Sequence, residues 1–149
     1  MSYSALNKGR FSQPRRAYFV TTVTHCRDPL FLDLGYARVV VDVMRVIHSQ
    51  QLVYSLAWVL MPDHVHWLFQ LGEKRSLSHV MFQFKGVSAR RLNEIGGRRG
   101  PVWQKAYYDR ALRDNENLEQ TARYIVANPL RAGLVTNIGD YSHWDAVWL

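Results

Sequence analysis

At 149 residues, with 48% hydrophobic residues and five tryptophans, the chain can bury one sizeable core, which excludes a disordered polypeptide. Nineteen Lys and Arg against twelve Asp and Glu leave a formal charge of +7 and a pI near 9.9, a balance that favours a polyanionic partner, most often nucleic acid. Cys26 is the single cysteine, so no intrachain disulfide is expected, and the longest aliphatic run, residues 39–41, stops at Asp42, so no membrane span is expected either.

Residues 1–16 carry Lys8, Arg10, Arg15 and Arg16 and read as a basic arm without the apolar stretch of a signal peptide, so a cytoplasmic protein is expected. Neither a repeat nor a linker interrupts the chain, and 1–149 reads as a single domain. Residues 18–25 (YFVTTVTH) are β-branched and aromatic, which predicts a strand. Over 35–50 the apolar positions Ala37, Val40, Val41, Met44 and Ile47 recur with helical period. Residues 52–60 alternate as a strand, Met61, Pro62 and Asp63 turn the chain, and 64–71 return as the second arm of a hairpin. Ser76 is the expected N-cap of a helix whose apolar stripe is Leu77, Val80, Met81, Phe84 and Val87. A glycine- and arginine-rich loop follows at 96–101, then a predicted fourth strand at 102–112. Asp114 or Asn115 is expected to cap a last helix running to about Ala127, which Pro129 stops at Asn128. The tail, with Tyr141, Trp144 and Trp148, is expected to pack back on the body. The resulting β-α-β-β-α-β order followed by a helix is an α+β, ferredoxin-like pattern: an antiparallel sheet with helices on one face. That fold hosts many functions and selects none.

Chemistry concentrates at the hairpin. His64 and His66 lie two apart in a strand and therefore share a face, while Val65, Trp67, Phe69 and Leu71 take the other. Burying both rings as plain packing would strand ring nitrogens at roughly 1–3 kcal/mol each, whereas two adjacent imidazoles form half of a metal site. On the last helix Leu118, Ala122 and Ile125 define the packing face, and Tyr124 falls off it in a polar row with Asn117, Gln120 and Asn128. An amide oxygen suits a hard divalent cation. The set His64, His66 and Asn128 around an ion, with the Tyr124 hydroxyl beside it, suits phosphoryl transfer: the ion neutralises a phosphate oxygen and the phenol, once deprotonated, attacks phosphorus. Arg123 and Arg131 are near enough in sequence to steady the extra charge. Tyr107 and Tyr108 compete for the nucleophile's role, and His25, His48, His79 and His143 are isolated. Imidazoles alone would also suit zinc, but amide and phosphate oxygens favour Mg²⁺ or Mn²⁺.

The H-V-H tripeptide on a strand, followed by a helix reading ARYIVANP, resembles the HUH single-tyrosine transposases and, more closely, the REP-associated tyrosine transposases of bacteria. The resembling segments are YFVTTVTHCRDPLF, AWVLMPDHVHWLFQL, VWQKAYYDRALRDNENLEQTARYIVANPLRAGLV and the short tryptophan-containing tail, together nearly the whole chain. The resemblance implies a metal-dependent nickase and strand transferase acting on single-stranded or hairpin DNA, with His64 and His66 as metal ligands, Asn128 as the third and Tyr124 forming a 5′-phosphotyrosine link. It further implies a bacterial, nucleoid-associated protein, acting as a monomer, with a dimer as the other arrangement. Arg10, Arg15, Arg16, Arg98 and Arg99, together with Arg123 and Arg131, are the expected DNA contacts. Two other readings fit the same residues: a non-catalytic binder of structured DNA or RNA, and a metal-dependent hydrolase with water as nucleophile.

Overall fold

A computed structural model describes residues 12–148. Five strands form one antiparallel sheet in the order β4-β1-β3-β2-β5: β1 Ala17–Val23, β2 Val53–Met61, β3 His64–Leu71, β4 Tyr108–Ala111 and β5 Trp144–Ala146. The helices are α1 Leu34–Ser49, α2 Leu77–Gly96, α3 Leu118–Val126 and the one-turn α4 Asn128–Arg131. The first four strands and first two helices have the expected ferredoxin-like order, and the tail contributes β5 to the outer edge beside β2.

Local chemistry explains most boundaries. Asp33 accepts hydrogen bonds from the Gly35 and Tyr36 amides and starts α1. Ser76 accepts from the His79 amide and starts α2, which ends where Gly97 takes the left-handed conformation at φ 58°. Both helices pack on the face built by Val65, Trp67, Phe69 and Leu71. Trp67 is fully buried there and its indole donates to the Ser55 hydroxyl at 2.9 Å; an aromatic of that size stabilises by about 4–6 kcal/mol through area alone. The opposite face carries a second core, in which Ala122, Ile125 and Val126 of α3 rest on Ala57, Val59, Met61 and Leu68. The sheet is thus covered by two helices on one side and partly by α3 on the other.

Four expected boundaries differ. The strand expected at 18–25 ends at Val23, because the chain bends into a 3₁₀ turn, His25–Arg27, with Cys26 and Arg27 at positive φ. The strand expected over 102–112 exists only as Tyr108–Ala111, with an isolated bridge between Thr24 and Trp103. The carbonyls of Gln104 and Lys105 are turned to the Lys85 ammonium, at 2.7 Å each, and so are lost to any ladder. The last helix starts at Leu118, not after Asp114 or Asn115, because Asn117 is the residue whose side chain accepts from the Gln120 amide. Glu116 is meanwhile committed to Arg110 and to the Arg113 amide. Pro129 does interrupt the helix, but Asn128 is not extended: it opens α4, with the proline at the first turn, where its missing N–H costs nothing.

Candidate functional site

β3 presents His64 and His66 on the face that α3 partly covers, with ring centroids 4.7 Å apart and planes at 77°. Each ring is held at Nδ1. His64 Nδ1 lies 2.7 Å from Asp63 Oδ1, and the other carboxylate oxygen of Asp63 takes the Arg27 guanidinium at 3.1 Å. A carboxylate accepts only, so a proton sits on His64 Nδ1, and Nε2 is the nitrogen outside this contact. His66 Nδ1 lies 2.8 Å from the Thr21 hydroxyl, which sits directly opposite on β1, and its ring packs edge-on against Phe19. Whichever of Thr21 and His66 donates, the two contacts occupy both Nδ1 atoms and leave both Nε2 atoms outside them, the positions from which the rings could bind an ion.

Electrostatics agree with that role. Burial, then the neighbouring His64 and the Arg131 charge, push His66 down to about 3, so the ring is neutral at physiological pH and its lone pair is available. Burial pulls the Asp63 carboxyl upward, but its hydrogen bonds from His64 and Arg27 outweigh this and hold it below the usual range. Among the described residues no three His, Cys, Asp or Glu side chains converge on a metal position. The two imidazoles, each with its outer nitrogen engaged, suit a divalent cation whose remaining donors are oxygens. Asn128, half-buried at the start of α4, has no side-chain hydrogen bond among the described residues and so retains its amide oxygen.

Tyr124 lies in α3, off the packing face as expected, and is 60% exposed. The Arg131 guanidinium covers its ring at 3.8 Å from the centroid, a cation–π contact worth about 0.5–1 kcal/mol at an exposed position. Because the Arg131 charge is also felt at His66, Tyr124, Arg131 and the histidine pair share one neighbourhood of the sheet. Its expected row partner Asn117 is occupied as the helix cap.

The two competing tyrosines separate, Tyr107 lying just before β4 and Tyr108 opening it. Tyr107 packs into the helix-side core with the Lys85 ammonium 6.0 Å from its ring. Tyr108 is 52% exposed and pairs with Thr21, which pairs with His66, so all three stand in one row on the same face. Two strand spacings put its Cα about 10 Å from that of His66. That row is invisible in the sequence, since it depends on register between strands far apart in the chain. Thr21 and Asp63 were likewise not singled out; only Asp63, adjacent to His64, left a local signal.

The arginines divide sharply. Arg10 lies outside the described residues. Arg15 pairs with Glu73 at 2.8 Å. Arg16 donates to the Leu112 carbonyl and to Gln13, stapling the start of β1. Arg98 is 26% exposed and faces Asp28 at 3.5 Å, and Arg123 pairs with Glu119 one turn back at 2.9 Å. Arg99 makes no hydrogen bond or ion pair among the described residues, and Arg131 is engaged with Tyr124.

Comparison with known proteins gives a consistent result. The family described as "Transposase IS200 like" matches residues 13–128. A REP-associated tyrosine transposase of Escherichia coli K12 is 24% identical over 85 residues, covering 57% of this chain and 49% of that protein. A Haemophilus influenzae protein assigned to the same group is 24% identical over 99 residues, covering 60% and 56%. The chain thus spans about half the length of these curated relatives. In three dimensions it is similar to a REP-associated tyrosine transposase bound to a REP hairpin, with a TM-score of 0.75 and 20% identity over 91% of this chain and 79% of that one. At that identity the likeness establishes the fold.

Proposed function

The chain belongs to the IS200-like transposase family, and from that premise we propose that it cuts and rejoins single-stranded DNA at or near palindromic hairpins through Tyr124. The observation that carries this reading is the pair of adjacent imidazoles with both Nδ1 atoms engaged, by Asp63 and Thr21, and both Nε2 atoms outside those contacts. Neither packing nor simple nucleic-acid binding requires two adjacent rings to be anchored in that way.

His64, His66 and the Asn128 amide oxygen would hold Mg²⁺ or Mn²⁺, which would supply charge neutralisation at the phosphate and make phosphorus more electrophilic. Asp63 and Thr21 fix the two rings, so little reorientation remains to be done on binding. The Tyr124 phenol loses its proton to solvent as its oxygen attacks phosphorus. The bond to the 3′-oxygen breaks, and that oxygen leaves as a hydroxyl after taking a proton. A 5′-phosphotyrosine results. Attack by a 3′-hydroxyl reverses the exchange with the same bond count, so rejoining needs no nucleotide cofactor. Arg131, beside the phenol, is suited to balance the charge gained when phosphate joins it. The protein acts as a monomer.

A labelled hairpin oligonucleotide with single-stranded flanks tests this directly. In Mg²⁺ or Mn²⁺ the wild type forms a protein–DNA adduct that survives boiling in detergent. Tyr124→Phe forms none, and Tyr108→Phe retains it. An adduct that persists in Tyr124→Phe and vanishes in Tyr108→Phe moves the nucleophile to β4. Cleavage without any adduct means that water attacks, and binding without cleavage means a non-catalytic binder.

A further inference from the structure

We propose that a cleft on the far side of the sheet, between α1 and the β5 edge, carries the single-stranded DNA that flanks the cut; this rests on the reading above and adds a second contact tract to it. Two adjoining hollows of about 690 and 370 Å³ share Arg45, Trp58 and Asp145 and form one continuous trough along the outer stripe of α1. Arg38 and Arg45 stand on that stripe, both exposed and with no hydrogen bond or ion pair among the described residues.

One of the two carboxylates of the trough is ion-paired and the other is only hydrogen-bonded. Asp42 is held by Arg91 at 2.7 Å, and Asp145 accepts from the Ala146 amide at 2.9 Å. The Ala146 amide is neutral and leaves Asp145 its charge, but Arg38, Arg45 and Arg91 outnumber Asp42 and Asp145 along the lining, and a polyanion is the partner that this net positive charge favours. Seven helical residues separate the two arginines by about 10.5 Å, which spans about three phosphates of a stacked strand at 3.4 Å each. Between and beyond them the wall is aromatic: Trp58 lines both hollows, and Tyr54 with His48 lines the smaller one. Alternating arginines and rings match a backbone that needs cations and bases that need flat surfaces. A duplex stem keeps its bases stacked on each other and has no use for those rings.

The trough also opens at the right end of the molecule. The Phe31 amide donates to the Pro62 carbonyl at 3.0 Å, tying the segment before α1 to the turn that carries Asp63. The Leu60 amide donates to the His143 carbonyl at 2.9 Å, setting the start of β5 beside the same turn. Leu34 and Arg38 therefore lie at the histidine end of the sheet, and β5 is two strand spacings, about 10 Å, from β3. A strand leaving the histidines around the β5 edge meets Arg38 first and Arg45 about two turns later.

Fluorescence anisotropy with labelled dT20 and with a blunt hairpin lacking flanks, at 50–200 mM NaCl, tests the tract on the full chain. Removing two phosphate contacts in Arg38→Ala/Arg45→Ala lowers the single-strand salt slope by about 1.4. Across that fourfold salt range the wild type then loses about sevenfold more affinity for dT20 than the variant does. Hairpin affinity and the rate of adduct formation at saturating DNA stay unchanged. Arg75→Ala/Arg90→Ala, which removes the same charge elsewhere, leaves the dT20 slope as in the wild type. An unchanged slope in Arg38→Ala/Arg45→Ala overturns the proposal, as does an equal loss on the blunt hairpin, which would assign the surface to duplex. A wild type that binds neither probe defeats the function proposed above and this tract with it.

Discussion

Lowering the pH from 7.5 to 5 is expected to destabilise the folded chain by about 2 kcal/mol through a single ring, His66. Burial, His64 and Arg131 together push this ring down to about 3, against an ordinary value of 6.5. Between those values the unfolded chain takes up a proton that the folded chain refuses, so the unfolded state binds more protons and stability must fall as pH falls. The contribution is fully present above 6.5 and is lost progressively toward 3. At pH 5 the ring is one and a half pH units into that window, at about 1.4 kcal/mol per unit. For a domain whose total stability is of the order of 5–15 kcal/mol, this is a visible fraction. Urea denaturation at pH 7.5, 6 and 5 measures it, with His66→Gln as the reference. Glutamine keeps an amide for the Thr21 hydroxyl but does not titrate, and the contributions of Asp63 and His143 are common to both proteins and cancel. The gap between wild type and variant should close, or invert, by about 2 kcal/mol over the range. Parallel pH profiles would refute the claim that this ring is held neutral by its surroundings, and with it the argument that its lone pair is ready for an ion.

Three further outcomes follow from the same contacts. Ile125→Ala empties the centre of the α3–sheet contact, where the side chain is fully buried; it should cost about 2–5 kcal/mol in chemical denaturation and lower adduct formation as α3 loosens. Asp63→Ala frees His64 Nδ1 and should weaken Mn²⁺ binding by about 10–100-fold in calorimetry, while a change below twofold would deny Asp63 any role in orienting the ring. Gly96→Ala would set a Cβ onto the Tyr36 hydroxyl and should cost about 1–3 kcal/mol in thermal unfolding; Tyr36→Phe in the same chain should recover part of that loss, since the hydroxyl is the first atom struck.

The amino-acid sequence by itself determined what depends on neighbours within a few positions. Period-two alternation assigned His64 and His66 to one face and Trp67 and Phe69 to the other. Helical spacing marked Ala122 and Ile125 as the packing side of α3 and left Tyr124 off it, and Ser76 announced the start of α2. Tertiary structure alone decided what depends on residues far apart. Register between β1 and β3 brought Thr21 to His66, and register between β1 and β4 put Tyr108 in the same row. Lys85, about twenty positions before Gln104 and Lys105, took the carbonyls that would have extended β4. Arg16 and Arg98, equal to any other arginine in a string of letters, were committed to Leu112 and Asp28, whereas Arg38 and Arg45 were left open. The reason is physical: periodicity and capping are set by bonds that close within one or two turns, whereas register and ion pairing are chosen only when the whole chain has collapsed and each polar group must find its partner in space.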